Sequence, residues 1–308
     1  MEPPSLALMR SKLFVPGSRP ELFAKALASD ADALSLDLED AVAPARKEEA
    51  RAAVAACLRA LPPQATGRAR AKIMIVRVNG LATPLFEPDL RAIVGSGLDV
   101  VNLPMAESAA DIRRAADALE GVEEAAGVTR PAGILANIET PRGLHAVAEI
   151  AAAHPRVVGL QIGYGDLFEP AGIARDNEAA LDHVRLLVRF AAAAAGVACF
   201  DGSLAAVASP ERCRAEAEAA RRLGFAGKSC IHPSQVPVVN AVFAPSPAEV
   251  ARARKVLEAA REQIGRGTGA FLVDGQMVDA PFIASAQAVV ELAERLSLQA
   301  GPPGKETA

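Results

Sequence analysis

Short apolar runs and amphipathic stretches of helical period follow one another eight times along this chain, the signature of βα units around a parallel sheet. The runs are Leu13 to Val15, Ala33 to Leu38, Ile73 to Val78, Val100 to Leu103, Gly133 to Ile138, Val158 to Ile162, Gly196 to Phe200 and Phe225 to Ile231. Helices are expected to begin near Pro20, Ala45, Leu85, Ser108, Pro141, Ala179, Pro210 and Pro233. Several of these starts carry proline in the first turn, where its missing N–H leaves no hydrogen bond unmade. Eight strands with eight helices make a closed α/β cylinder, the (β/α)8 TIM barrel.

At 308 residues and 51% hydrophobic content, the chain suits one barrel plus an appendage better than several small modules. The barrel is assigned to residues 1–245 and a C-terminal extension to 246–308. That extension reads as a helix from Pro247 to Ile264, a glycine-containing turn from Gly265 to Gly269, a strand-like Ala270 to Asp279, and a helix to about Leu298. It is judged too short to bury a core of its own, so it is expected to pack on the barrel or on a neighbouring subunit. Pro62 to Arg70 reads as a surface loop, Glu120 to Pro131 as a weakly ordered helix-to-strand connection, and Ala300 to Ala308 as a disordered tail.

Charge and composition exclude several functions. A net charge of -4 and a pI near 5.7 leave no basic face for a nucleic-acid backbone, although a local basic pocket for one phosphorylated ligand stays open. Pro3, Pro4, Arg10 and Lys12 interrupt any signal-like apolar core, and no apolar stretch reaches the ~18 residues of a membrane span. Cys57, Cys199, Cys213 and Cys230 form no CxxC pair and have no histidine at zinc-ligand spacing. They read as buried or helix-face thiols in a reducing cytoplasm.

The chemistry concentrates in carboxylates at strand ends. Glu139 closes the fifth apolar run and Asp166 follows the sixth, so both are expected side by side on the active rim of the barrel. Two acids there repel unless neutralised. Mg²⁺ resolves this, since it takes one or two protein carboxylates and leaves its other positions to water and substrate oxygens. The alternative is that each acid caps the helix that follows it, a reading that weakens for a pair at adjacent strands. Arg77 ends the third run and needs an anionic partner inside an apolar strand. Either it forms a buried ion pair with Asp37, Glu39 and Asp40, or it faces a substrate oxygen where negative charge gathers while those acids orient it. Both can hold together.

These residues sit in recognisable segments: Arg10 to Gly17, Asp37 to Val42, Arg77-Val78-Asn79, Ile138-Glu139-Thr140, Gly163 to Asp166, and Gly224 to Gln235. From about Arg10 to Glu294 the chain resembles the citrate lyase beta-subunit-like CoA-ester lyases, with malyl-CoA and citramalyl-CoA lyases as kin. The resemblance implies a Mg²⁺-dependent Claisen-type lyase that splits a carboxylated 3-hydroxyacyl-CoA into acetyl-CoA and an oxo acid. By motif position Glu139 and Asp166 would bind Mg²⁺, Arg77 would steady the enolate oxygen, and Asp279 would handle the proton of the acetyl methyl group in a neighbouring subunit's site. A shared site implies a homo-oligomer, a trimer or hexamer. Asp274 is the decoy close to Asp279. Arg19 and Lys25 match positions that touch the CoA nucleotide, while Lys228 and the Ile231-His232-Pro233 turn would line the pantetheine path mainly through backbone. The family's range also includes malyl-CoA-type thioester hydrolysis and action on an acyl carrier protein; a catalytically silent regulatory subunit fits poorly with an intact site. Met105, where the family usually has lysine, and the unusual Tyr164 and Phe168 leave the acyl group open.

Overall fold

A computed structural model describes Leu6 and residues 8–61, 72–95, 97–264 and 269–300. It divides into two compact units, Met1–Phe243 and Ala244–Ala308. In the first, eight parallel strands close a barrel in chain order: β1 (Ser11–Pro16), β2 (Ala33–Asp37), β3 (Ile73–Arg77), β4 (Val100–Leu103), β5 (Gly133–Ile138), β6 (Val157–Ile162), β7 (Ala198–Asp201) and β8 (Gly227–Cys230). Pairing of β1 with β8 closes the cylinder, and helices occupy every connection between strands.

The two-residue period of a strand sorts each sequence into an inner and an outer set. Leu34 and Leu36, Met74 and Val76, Val101 and Leu103, Ile134, Ala136 and Ile138, and Leu160 and Ile162 point outward into one large apolar cluster shared with the helices. Ala33, Ile75, Val100, Leu135 and Phe200 point inward and, with Leu6 and Met9, fill the lower end of the cylinder as a separate cluster. Above that plug the inner positions turn polar yet stay buried: Lys12, Ser35, Asn102, Asn137, Gln161 and Ser229. At the top of the same columns stand Asp37, Arg77 and Glu139. The sequence therefore builds a dry base, a polar middle and a charged rim.

Helix ends follow local chemistry. Ser108, Thr140 and Asn177 cap their helices through side-chain oxygens, each accepting a backbone N–H three residues on. The expected weak connection from Glu120 is corrected here: the helix Ala109–Ala126 continues through it and ends at Gly127, in the left-handed conformation. The Glu and Ala residues of that segment are good helix formers, and one internal glycine does not stop them.

The second unit contains the helices Pro247–Ile264 and Ala280–Ala300, joined through a hairpin of β9 (Phe271–Val273) and β10 (Gln276–Val278). Asp274 and Gly275 both take positive φ in its two-residue turn, as a type I′ hairpin requires. Contrary to the expectation that it lacks a core, this unit buries Ala253, Val256, Val273, Val278 and Ala286 against one another. Two helices of 18 and 21 residues, packed side by side, offer enough apolar face for that. Pro62 to Arg70, Gly265 to Thr268 and the tail beyond Ala300 lie outside the described residues.

Candidate active site

A cavity of about 310 Å³ opens at the C-terminal rim of the barrel, where Asp37, Arg77, Glu139 and Asp166 line it together with Phe14, Asn137, Tyr164 and Ile231. Loops after parallel strands converge there, so residues distant in sequence meet. A larger groove of about 580 Å³ lies elsewhere, between Leu81 to Arg91 and Arg114 to Ala118. None of the predicted site residues lines it.

Arg77 is held before anything binds. Strand register sets Asp37 beside Arg77 on β2 and β3. The carboxylate grips the guanidinium at two points, Nε to Oδ1 and Nη2 to Oδ2, both at 2.7 Å. Two parallel charge-assisted bonds fix the plane of the guanidinium as well as its position. Its remaining nitrogen, Nη1, lies 2.8 Å from Glu39 Oε2 and 3.3 Å from Asp40 Oδ2. Asp37 also accepts the backbone N–H groups of Glu39 and Ala41, which fixes the turn carrying those two acids. Both readings of Arg77 therefore coexist: a buried ion pair, and a cation on the cavity wall. Burial pushes the Glu39 carboxyl up to about 8 against the pull of Arg77, with Asp40 adding to the rise.

Glu139 is almost completely buried. Its Oε1 accepts the backbone N–H of Met105 at 2.7 Å and its Oε2 accepts from Asn137 Nδ2 at 3.2 Å. Met105 takes a positive φ of 53° to present that N–H, a conformation that strains a residue bearing a Cβ. Gly163 makes room on the other side, since a Cβ there would stand 2.3 Å from Glu139 Oε2. Asp166 lies in the first turn of the short helix Tyr164–Phe168 that follows β6. Neither acid is a helix cap: Thr140 caps the helix after β5, and Gly163 occupies the N-cap before Asp166. The capping alternative is thereby removed.

Burial raises the Glu139 carboxyl, opposed by the Met105 N–H and Arg77 and reinforced by Asp166. Asp166 is raised as well, by burial and by Asp40. Five carboxylates thus share one rim with Arg77, and the surplus of negative charge favours a bound cation. Among the described residues no group of three or more His, Cys, Asp or Glu is arranged to hold a metal. Two carboxylates without nitrogen or sulfur ligands suit a hard ion that keeps several water ligands.

The other predicted residues scatter. Arg19 is exposed and paired with Glu21, and Lys25 is exposed on the helix Phe23–Leu27. Ile231 lines the cavity, and His232 and Pro233 follow it in an exposed turn where His232 Nδ1 meets Ser234 Oγ at 2.8 Å. Lys228 directs its side chain away from the cavity. It points outward from β8, 1% exposed, with its ammonium bonded to Asp201 at 2.7 Å and Glu216 at 3.2 Å. That side chain serves the layer behind the barrel and has no free donor for a pantetheine arm. Asp279 follows β10 in the second unit, half-buried, and its Oδ1 has no hydrogen-bond partner. Asp274 sits in the hairpin turn, paired with Lys255.

Sequence reading passed over Asn137, Phe14 and the Met105 N–H as parts of the site. Asn137 was detectable, since a polar residue two positions before Glu139 must share its inward face. The Met105 contact had no such signal, because it depends on a backbone angle.

Comparison with known proteins adds an independent line. Residues 10–233 match the model of the HpcH/HpaI aldolase/citrate lyase family. The chain is 35% identical over 289 residues to the citrate lyase subunit beta of Leuconostoc mesenteroides subsp. cremoris, covering 93% of each. It is 37% identical to a (3S)-malyl-CoA thioesterase of Cereibacter sphaeroides, covering 94% of this chain and 95% of the relative. Among solved structures, protein CitE from Mycobacterium tuberculosis, in complex with magnesium, acetoacetate and coenzyme A, superposes with a TM-score of 0.74 at 37% identity over 94% of this chain and 99% of that one. A family model spanning the barrel from β1 to β8, and relatives matching nearly end to end, place this chain in the HpcH/HpaI aldolase/citrate lyase family.

Proposed function

We propose that the protein is a Mg²⁺-dependent CoA-ester lyase that cleaves a carboxylated 3-hydroxyacyl-CoA of the malyl-, citramalyl- or citryl-CoA type into acetyl-CoA and an oxo acid. The observation that carries this reading is the rim itself, where an Asp37-clamped Arg77 and the two raised acids, Glu139 and Asp166, line one cavity. Magnesium and coenzyme A in the CitE complex support it.

Glu139 and Asp166 would hold the ion, with Gly163 and the Met105 N–H keeping Glu139 in place. Bound there, Mg²⁺ supplies Lewis-acid polarisation of the oxo acid's oxygens. Arg77 presents a fixed positive charge where the enolate oxygen of the acetyl group develops, with no reorganisation needed at the moment of bond cleavage. Asp279, from a neighbouring subunit, returns a proton to the acetyl carbon in cleavage and removes it in condensation. Arg19 and Lys25 lie toward the CoA diphosphate, and the Ile231-His232-Pro233 backbone borders the pantetheine. Tyr164 lines the cavity and would narrow its acyl end, with Phe168 packed behind the Tyr164 ring rather than on the cavity wall.

The likeness to a malyl-CoA thioesterase favours a second reading, hydrolysis of the thioester. One assay separates them. Purified protein with Mg²⁺ is offered malyl-, citramalyl- and citryl-CoA, and products are resolved by chromatography. Acetyl-CoA with an oxo acid, lost on chelation, is the expected outcome. Free CoA with the intact hydroxy acid assigns the hydrolase, and neither product from any ester overturns both.

A further inference from the structure

Lys12 lies inside the barrel at 1% exposure and forms no ion pair with a carboxylate among the described residues. Its Nζ donates to Gln161 Oε1 and, at 3.2 Å, to Asn102 Oδ1, and rests 4.2 Å from the centre of the Phe14 ring. From Asn102 the bonds continue in one direction. Asn102 Nδ2 donates to Asn137 Oδ1 at 2.8 Å, and Asn137 Nδ2 donates to Glu139 Oε2 at 3.2 Å. We propose that Lys12 is a positioning residue, the donor end of a relay through Asn102 and Asn137 that fixes which face of each amide is turned toward Glu139.

The argument is one of polarity. An amide offers an oxygen on one side and an NH₂ on the other, and either can face a neighbour. A chain of two amides is therefore ambiguous unless its ends are not. The carboxylate at the Glu139 end accepts only, and the amine at the Lys12 end directs N–H groups at two oxygens. Only one head-to-tail arrangement then satisfies every group. Asn102 Nδ2 also donates to Leu135 O at 2.9 Å, which independently fixes that amide the same way round. Burial presses Lys12 toward its neutral form, helped by Arg77 and opposed by Asp37 and Glu139. Neutral or charged, it has an N–H for each of its two acceptors. Without it Asn102 Oδ1 loses its donor and the row is held only by the Leu135 carbonyl and the Glu139 carboxylate, so a flipped amide, whose oxygen would repel that carboxylate, becomes more accessible. Hydrogen bonds aligned head to tail also polarise one another, so the last donor of the row is strengthened.

This inference rests on Glu139 being a Mg²⁺ ligand, and the test separates the two. Calorimetric titration with MgCl₂ compares wild type, Lys12→Met, Asn102→Leu and the double variant, with circular dichroism confirming that each is folded. Lys12→Met is expected to weaken Mg²⁺ binding about tenfold, the low end for loss of a group that orients a ligand. Adding it to Asn102→Leu is expected to weaken binding no further, because the relay is already cut. Unchanged affinity in Lys12→Met, or the same loss in both backgrounds, overturns the relay. If Lys12→Met does not fold, Lys12→Gln takes its place, with weakened Mg²⁺ binding expected and an unchanged affinity overturning the proposal. The side-chain amide resonance of Asn137 in metal-free, selectively labelled protein gives the second readout. It is expected to move on Lys12→Met, and a stationary resonance counts against the relay. A wild type that does not bind Mg²⁺ refutes the metal reading, and this resonance alone then decides the relay.

Discussion

Arg77 shows how one side chain can be both a structural ion and a chemical one. Because Asp37 occupies Nε and Nη2, only the Nη1 edge remains to face the acids of the β2 turn and the cavity. Lysine keeps the charge at this position but cannot make the two-point contact. Arg77→Lys is therefore expected to lower kcat by about 10² to 10³, the range for removing one preorganised oxyanion donor, while leaving Mg²⁺ affinity within about twofold. Steady-state kinetics beside a metal titration check this, and near-normal kcat removes Arg77 from the chemistry. Gly163 acts by absence. A methyl group there would stand 2.3 Å from Glu139 Oε2 and 2.6 Å from Glu139 Cβ, so the acid would have to leave its place. Gly163→Ala should weaken Mg²⁺ binding by about 10- to 100-fold. If a calorimetric isotherm for that variant matches wild type, Glu139 has room that the structure denies it.

Between single residues and the barrel lies a layer of buried charge behind β7 and β8. Asp201 is fully buried and accepts from Lys228 at 2.7 Å, from Arg185 at 3.1 Å and from the Tyr164 hydroxyl at 2.7 Å. Burial alone would raise its carboxyl, yet Lys228 and Arg185 outweigh that and hold it at about 2. The folded form therefore binds fewer protons than the unfolded chain, whose aspartate titrates near 3.9. The stability this carboxylate contributes is complete above about pH 4 and is lost as pH falls through about 2; the shift corresponds to about 2 kcal/mol. Asp201→Asn should lower stability at neutral pH by about 3–5 kcal/mol, because two buried cations lose a counter-charge that Glu216 and the exposed Asp182 only partly replace. Its unfolding curves should also lose the wild type's decline between pH 4 and 2, and a decline that persists unchanged shows that another acid is responsible. The same layer marks where sequence reading stops. All eight strands were legible, because short β-like runs alternate with amphipathic stretches of helical period. The direction of the Lys228 side chain was not legible: Gly227-Lys228-Ser229-Cys230 has no apolar–polar alternation, and a shift of one residue exchanges the two faces. Glu139, Asp166 and Arg77 were legible because each ends or follows an apolar strand. Of the partners that aim them, Asn137 was open to the same reading through its spacing from Glu139, whereas the Met105 N–H depends on a loop conformation that one-dimensional spacing does not encode.

At the scale of the whole molecule, the proposed role of Asp279 in a neighbouring subunit's barrel makes a demand that mixing experiments can meet or refuse. The second unit has its own apolar cluster and hairpin, so it is a formed element able to present a side chain. Leu272, Met277 and Phe282 are exposed around Asp279, at 72%, 59% and 56%, and apolar surface of that kind next to a polar group suits burial against another chain. If the site is shared, two inactive proteins should repair each other. Glu139→Gln spoils the barrel half and keeps Asp279; Asp279→Asn spoils the tail half and keeps the barrel. Exchanging subunits between them pairs an intact barrel with an intact tail at about one site in four for random mixing in a closed ring. Activity toward the preferred CoA ester should therefore rise from near zero to about a quarter of the wild-type value per site, and only under conditions that let oligomers dissociate and reassemble. If each chain uses its own Asp279, every site in the mixture keeps one lesion and nothing is regained. Two different affinity tags, one on each variant, with capture through one tag and detection of the other, decide whether hybrids formed, so a silent mixture of hybrids rules out the shared site.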